Sequence, residues 1–457
     1  MKNVLLFLFV CLVTMAKAQI VQDSDGIKEI FDAALKNGKS YEMLTELCTK
    51  IGPRLSGSPG AAAAVEWSRH MMEKYDFDSV WLQPVMVPHW VRGEKEIARV
   101  LNSKKMGMVN LTICALGGSP GTGPSGISSQ VIEVKNFDEL KQLGSKVQGK
   151  IIFFNRPMDP TKISTFAAYG GAVDQRGTGA VEAAKLGASA VIVRSMGVNL
   201  EDYPHTGGVR YSSEVKKIPA VAVSTKHAEL LSQLLKEEKD LQVYLETHCE
   251  ILDDAPSSNV IGQINGSEFK NEIIDIGGHL DSWDLAQGAH DDGAGVVQSI
   301  EVLRLFKQLG IKPKRTIRAV MFMNEENGLR GGTKYAETAK AKNENHIVAI
   351  ESDEGGFTPR GFTMTATDLV KNKIKSWKPL FEPYGLTDFD HPGGGADIGP
   401  LGALGTPMIG YLPDSQRYFD YHHTPEDTID KVSPRELELG AAAMASLVFL
   451  IDRYSLK

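Results

Sequence analysis

Residues 271–295 read NEIIDIGGHLDSWDLAQGAHDDGAG, and this stretch decides how the chain folds. Its first part, NEIIDIGG, is an apolar run typical of a buried strand, and histidine and aspartate follow where that strand should end. Aspartate and glycine favour surface turns by themselves, which is the simpler interpretation of the acids. A metal site is the alternative, and the residues around this stretch bear on the choice.

Downstream of this stretch, strand and helix patterns alternate. VVQSIEVLRLFKQLG at 296–310 has the apolar spacing of an amphipathic helix, and TIRAVMFMNEE at 316–326 and HIVAIESDEGG at 346–356 resemble strands. We therefore predict an α/β fold with a central mixed, mostly parallel twisted sheet flanked by helices. Functional residues in such folds lie at the carboxyl ends of the strands.

Acids and histidines fall at those predicted strand ends, which favours the metal site. Taken singly, His-x-Asp, Glu-Glu or Asp-Asp-Gly is more often a turn, a cap or a solvated face. Their succession in this order is what favours zinc, which binds histidine nitrogen and carboxylate oxygen. The candidate ligands are His279, Asp291, Glu326, Asp353 and one histidine of YHHTPEDT at 421–428.

Three neighbouring acids have predicted supporting roles. Asp281 lies two residues after His279, on the same side of an extended segment, and we expect it to accept the second imidazole N–H. Glu325 stays free to take a proton from water while Glu326 binds metal. Asp292 is expected to cap the helix that begins near Gly293.

The amino terminus has the pattern of a secretory signal peptide. MKNVLLFLFVCLVTMAKA at 1–18 has a lysine, an apolar run and a small-x-small site, so we expect cleavage after Ala18 and export to the periplasm or outside the cell. Cleavage removes two lysines and no acid, and changes the net charge from −7 to −9. An acidic exported protein has no electrostatic reason to bind nucleic acid, and no later apolar run is long enough to span a membrane.

The remaining cysteines, Cys48, Cys114 and Cys249, are sparse and odd in number. They do not form a disulfide framework, and they leave two alternatives, one bridge with a free thiol or three buried thiols.

A glycine- and proline-rich stretch, GGSPGTGPSG at 117–126, indicates a boundary. We predict a first part of the main domain at 19–119, an inserted module at 120–247 and the second part, with the metal site, at 248–457. The module has few catalytic residue types. It roofs the active site, acts as a passive spacer or provides a contact between copies in a homodimer.

The order GGHLDSWD, Asp-Asp-Gly, NEENG, ESDEGG and HHTPEDT resembles the co-catalytic zinc exopeptidase family, and IGPRLSGSPGAAAAVEW resembles its amino-terminal signature. The resemblance covers nearly the whole mature chain, and residues 120–247 resemble the family's inserted, β-rich protease-associated domain. It implies two Zn²⁺ per chain. One zinc has His279 and Asp353 as ligands, the other has Glu326 and His423, and Asp291 bridges them.

The resemblance also implies the catalytic roles. Glu325 is the general base and later the acid, His422 takes the place of an oxyanion-binding tyrosine, and Asp397 is a candidate contact for a substrate ammonium. The implied activity is that of an aminopeptidase or dipeptidase on dipeptides or short peptides. Two alternatives remain, a non-catalytic relative that has lost its zinc and a glutaminyl-cyclase-like zinc acyltransferase.

Overall fold

The computed structural model describes residues 21–456, which form two units with one sheet each. The main unit comprises residues 21–91 and 250–456, and the inserted unit comprises residues 92–249. The predicted signal peptide, residues 1–18, lies outside the described residues. Within the described range, no helix combines the length and apolar character needed to cross a membrane.

The strands of both sheets are numbered here in chain order. They are β1 (Ser79–Val91), β2 (Ile97–Ser103), β3 (Gly107–Leu111), β4 (Ile113–Ala115), β5 (Ile127–Val134), β6 (Ile151–Phe154), β7 (Ala190–Arg194), β8 (Ala220–Val223), β9 (Gln242–Glu246), β10 (Glu250–Ile264), β11 (Phe269–His279), β12 (Arg315–Phe322), β13 (Asn345–Glu351), β14 (Pro359–Thr365) and β15 (Met408–Pro413).

The α-helices are numbered in the same way. They are α1 (21–37), α2 (Ser40–Glu46), α3 (Pro59–Lys74), α4 (Phe137–Leu143), α5 (Thr165–Gly170), α6 (Asp174–Lys185), α7 (Thr225–Glu237), α8 (Ala294–Gln308), α9 (Arg330–Lys342), α10 (Asp368–Lys375), α11 (Lys378–Phe381), α12 (Gly399–Gly402), α13 (Tyr418–Tyr421) and α14 (Pro434–Tyr454).

The main sheet has seven strands in the order β1-β10-β12-β11-β13-β15-β14. The three central pairings, β12/β11, β11/β13 and β13/β15, are parallel. The three outer pairings, β1/β10, β10/β12 and β14/β15, are antiparallel. The predicted mixed sheet is confirmed, but "mostly parallel" is wrong because the outer strands enter the sheet through antiparallel neighbours.

The inserted unit has eight strands in the order β3-β2-β9-β5-β6-β7-β8-β4. Its first strand begins at Ile97, so the predicted boundary at residue 120 lies too late in the chain. β2 pairs with β9, which joins the two ends of the insertion, with Ile97 opposite Glu246. The glycine- and proline-rich stretch is a connection inside this unit, where the Gly121 N–H donates to the carbonyl of Cys249.

Helices cover both faces of both sheets, as the apolar strands require. On one face of the main sheet α8 and α14 pack with α1, α2 and α3, and on the other face lie α9 and α12. In the inserted unit α4, α5 and α6 cover one face and α7 covers the other. The three cysteines of the described residues are buried free thiols, which decides between the two alternatives.

Candidate metal centre and active site

The loops at one edge of the main sheet carry the predicted ligands. β11 ends at His279, and β12 runs parallel to it with Phe322 beside His279. Because parallel strands end at the same edge, the residues that follow β12 and β13 reach the position of this histidine. They are Glu325 and Glu326 after β12 and Asp353 after β13, and His423 joins them from the loop after α13.

Asp291 lies at the centre of this cluster, between two histidines. Its Oδ1 is 3.1 Å from Nε2 of His279, and its Oδ2 is 3.2 Å from Nε2 of His423. The same His279 nitrogen is 3.2 Å from Oδ1 of Asp353, and the same His423 nitrogen is 3.1 Å from Oε2 of Glu326. The five residues therefore form two groups that share one aspartate, which is the pairing the resemblance implies.

Backbone carbonyls orient both imidazoles. Nδ1 of His279 lies 2.9 Å from the carbonyl oxygen of Asp281, and Nδ1 of His423 lies 3.2 Å from the carbonyl oxygen of Thr206. A carbonyl oxygen only accepts hydrogen bonds, so Nδ1 of each ring carries a proton. Each Nε2 faces the acids and would be the ligand atom of its ring if a metal bound there.

Asp281 acts on a different group from the one expected. Its carboxylate Oδ1 is 3.9 Å from Nδ1 of His279, whose N–H goes to the Asp281 carbonyl instead. Oδ1 accepts the backbone N–H groups of Asn324 at 2.7 Å and Glu325 at 3.1 Å. Asn324 has a φ of 77°, a left-handed conformation uncommon outside glycine. The Asp281 carboxylate thus stabilises the turn that presents Glu325.

Glu325 is half-buried beside the cluster and lines the open cleft above it. Burial raises the pKa of its carboxyl well above the usual range, and the charges of Asp353, Glu326 and Asp291 raise it further. A carboxylate in these surroundings takes up a proton readily, which is what a general base near neutral pH requires.

The backbone around Asp291 is held by two further acids. Asp292 accepts the N–H of Gly295 at 2.9 Å, which confirms the predicted helix cap, and also accepts the N–H of His279 at 3.0 Å. Asp427 accepts the N–H of His290 at 2.7 Å and that of Asp291 at 3.1 Å. The peptide bond between Asp291 and Asp292 is cis. Nothing in the sequence around Asp427 indicates that it supports this backbone.

His422 stacks on His423 with ring centroids 3.6 Å apart and lines the cleft. Its Nε2 is 3.8 Å from Oδ2 of Asp291, farther than that of His423, and its Nδ1 is buried with no hydrogen-bond partner among the described residues. Burial and the neighbouring His423 lower the pKa of His422 well below its usual range. The ring is therefore neutral and retains one N–H to donate.

Asp397 does not lie where the sequence predicts it. Its side chain is 1% exposed, it is not part of the cleft wall, and neither carboxylate oxygen has a hydrogen-bond partner among the described residues. The loop folds inward because Gly332 allows the Asp397 backbone to approach closely. Burial raises the pKa of Asp397 well above its usual range, and Glu351 and Glu325 add to it. A buried group of this kind is not available to a substrate ammonium.

Three histidines outside the predicted ligand set differ in their surroundings. His205 is fully buried and its Nε2 lies 2.9 Å from Glu201, whereas His391 is exposed and 3.1 Å from Asp388. His89 lines the cleft, although its sequence position carries no signal for this.

The cleft above the cluster has a volume of about 890 Å³ and is lined by both units. The main unit contributes the cluster side: Asp291, Glu325, Glu326, Asp353, His422 and His423. The inserted unit contributes further parts of the wall, including Tyr169, Arg176, Arg210 and Lys217. The volume is that of a site for a small ligand, and the inserted unit limits its size.

The donor set fits divalent metal. His279, Asp291 and Glu326 bring their ligand atoms within 4.8 Å of one another, and so do His279, Asp292 and Asp353. Within residues 21–456, Oδ2 of Asp291 is buried with no hydrogen-bond donor, a position that a cation stabilises. Fold and cluster together define a class: an α/β protein with a buried His–carboxylate cluster that could hold metal at the carboxyl edge of its sheet.

Comparison with known proteins agrees with this class. The model of peptidase family M28 matches residues 259–448. Carboxypeptidase Q from Bos taurus is 35% identical over 438 residues, which cover 95% of this chain and 90% of that protein. The chain belongs to peptidase family M28.

Solved structures show the same fold. The crystal structure of a peptidase M28 precursor from Shewanella amazonensis SB2B is 34% identical, with a TM-score of 0.89, and covers 95% of this chain and 97% of that one. A zinc aminopeptidase from Bacillus subtilis, 20% identical, has a TM-score of 0.66 over 91% of this chain and 95% of that one. The match to the Shewanella protein extends through the inserted unit as well as the main unit.

Proposed function

We propose that this chain is an exported di-zinc exopeptidase that acts on dipeptides or short peptides. The observation that carries the proposal is the position of Asp291, with one carboxylate oxygen near each of two histidines that face separate acids. A two-metal site needs such a bridging carboxylate. The relatives support the same chemistry, since one is named a zinc aminopeptidase and another carboxypeptidase Q.

In this proposal His279 and Asp353 would hold one zinc, Glu326 and His423 would hold the other, and Asp291 would contribute to both positions. A bound zinc pair supplies Lewis acidity, which polarises the scissile carbonyl and lowers the pKa of water. The rest of the mechanism depends on side chains in the cleft wall. Glu325 takes the proton of the attacking water and returns it to the leaving amine.

His422 is the proposed donor to the tetrahedral oxyanion. Its ring is neutral and lines the cleft. A neutral imidazole N–H positioned before the reaction stabilises developing negative charge without prior reorganisation.

The preference for short substrates with free ends rests on the charge of the cleft wall that the inserted unit contributes. Arg210 and Lys217, from the inserted unit, are exposed, line the cleft and have no ion-pair partner among the described residues. Guanidinium and ammonium groups bind carboxylates, so this wall suits the free carboxyl end of a peptide. The same arrangement supports the roof interpretation of the inserted module.

Glu325→Gln is the test of the catalytic assignment. The variant keeps the shape of the side chain but not its basicity, so we expect kcat to fall by roughly 10²–10⁴-fold while zinc content stays at two per chain. The control is Glu182→Gln, which changes a carboxylate of the inserted unit that pairs with Lys185 on its surface. Turnover by Glu325→Gln at near the wild-type rate would contradict the assignment.

A substrate panel with elemental analysis separates this proposal from its alternatives. Free dipeptides should be cleaved, and N-acetylated and C-amidated dipeptides should be poor substrates. A protein without zinc or turnover is a non-catalytic relative, and one zinc with cyclisation of N-terminal glutamine indicates an acyltransferase. Export predicts a mature chain that begins at Gln19, and the predicted homodimer is checked by sedimentation.

A further inference from the structure

Arg92 lies where the chain leaves the main sheet for the inserted unit, one residue after β1. Its side chain is 10% exposed and all five guanidinium N–H groups are used. Two go to the carboxylate of Asp284, at 2.8 and 2.6 Å. The others go to Glu96 at 3.1 Å, to the carbonyl of Ala115 at 2.6 Å and to the hydroxyl of Thr206 at 3.3 Å.

Two of these partners lead directly to one half of the cluster. Asp284 follows Trp283, whose backbone N–H donates to Oε1 of Glu326 at 3.1 Å and whose ring packs edge-on against His423. Thr206 accepts the Nδ1–H of His423 at 3.2 Å, and its own N–H donates to the His423 carbonyl at 2.9 Å. His423 therefore contacts a residue that Arg92 holds, and Glu326 contacts the chain neighbour of another.

The other half of the cluster has different supports. His279 is held by the Asp281 carbonyl at 2.9 Å and by Asp292 at 3.0 Å, both within the main unit. Asp353 lies just past the end of β13, also in the main unit, and its carboxylate faces His279. The two halves thus differ in whether the inserted unit positions them.

We propose that Arg92 is a positioning residue for the ion that Glu326 and His423 would hold, while the ion that His279 and Asp353 would hold binds independently of it. The inference rests on the proposed di-zinc function. The proposal gives the junction between the two units a specific role. Thr206 of the inserted unit positions His423, and Arg92 connects Thr206 with Asp284, in the loop that orients Glu326. Lysine cannot replace Arg92, because a single ammonium group lacks the planar set of N–H donors that reaches Asp284 and Thr206 together.

The test is a zinc titration of the full-length chain, with Arg92→Lys compared with wild type in competition with a chromophoric chelator. Loss of a residue that orients a ligand typically weakens metal affinity 10–100-fold. We expect the Kd of one zinc to rise by roughly that factor while the other keeps its wild-type value. Activity of the variant should recover when free zinc is raised.

Arg315→Lys is the matched control. Arg315 is also a buried arginine in a fork, which donates to Glu272 at 2.6 Å and to the Asp452 carbonyl at 2.6 Å, at the start of β12 away from the cluster. Its replacement should leave both zinc affinities unchanged. If Arg92→Lys does not fold, Asp284→Asn is the second variant. It weakens the contact between Arg92 and Asp284 but keeps the arginine, and it should weaken binding of the same single zinc.

The outcomes separate the two proposals. If wild type binds fewer than two zinc ions, the proposed function itself is wrong. If wild type binds two and Arg92→Lys binds both with unchanged affinity, or weakens both equally, only the assignment of Arg92 is wrong.

Discussion

His346→Gln should destabilise the protein at pH 6 and have little effect at pH 10. His346 is the second residue of β13, at the end of the main sheet opposite the metal cluster. Its Nδ1 lies 2.5 Å from Oδ2 of Asp275 and its Nε2 lies 3.2 Å from Glu344. Both side chains of the first pair are almost fully buried, so the interaction is poorly screened by solvent.

The magnitude follows from the pKa. Burial by itself would lower the pKa of His346, but the charge of Asp275 and the hydrogen bonds with Asp275 and Glu344 raise it from 6.5 to about 9. A group whose folded pKa is raised stabilises the fold fully below its unfolded pKa, and loses this contribution as the pH rises through the folded value. The difference corresponds to about 3 kcal/mol below pH 6.5, lost as the pH passes about 9.

Glu344 does not obscure this effect. The hydrogen bond with His346 lowers the pKa of Glu344 from 4.5 to about 2. Its contribution is present above pH 4.5 and is lost only as the pH falls toward 2, outside the range of the measurement.

The assay is urea unfolding of the zinc-free wild type and His346→Gln at pH 6, 8 and 10. The difference in the free energy of unfolding between the two proteins should be about 3 kcal/mol at pH 6 and should shrink steeply above pH 9. His391→Gln is the control, because His391 is exposed beside Asp388 and should show no such pH dependence. A difference between wild type and His346→Gln that is the same at pH 6 and pH 10 would refute the reasoning.

Two further predictions concern acids near the cluster. Asp292→Ala removes the cap of α8 and the acceptor for the His279 N–H, so we expect a loss of about 1–2 kcal/mol in the free energy of unfolding, measured by urea titration, and weaker zinc binding. Unchanged stability would mean that the cap contributes nothing. Asp397→Asn should leave KM for free dipeptides unchanged, because the side chain is buried outside the cleft; a large rise in KM would restore the predicted contact with the substrate ammonium.

The positions of the metal-site residues could be predicted from the sequence because each lies just after a strand that its own apolar pattern identifies. His279, Glu326 and Asp353 each follow such a strand, and parallel strands bring their ends to one edge. The helix cap at Asp292 is equally local, since donor and acceptor are three residues apart. Local patterns of this kind need no knowledge of the partner strand.

What depended on contacts between distant residues could not be predicted. The inserted unit lies in the sequence between β1 and β10, which pair antiparallel in the main sheet. No local signal shows that β2 pairs with β9, near the other end of the insertion. The predicted start of the insertion therefore lies too late in the chain. Apolar alternation identifies a strand but does not specify which neighbour pairs with it or in which direction.

The roles of individual side chains at the site were decided in the same way. Asp281 and Asp397 are both acids within or near the predicted motifs. The Asp281 carboxylate supports a turn, whereas the Asp397 side chain is buried. Arg92 and Thr206 do not belong to any predicted motif, and they are in contact although 114 residues separate them in the sequence. By itself the sequence determined which residue types end each strand; only the tertiary structure decided which atoms lie within hydrogen-bond distance, because those contacts depend on how the two units pack.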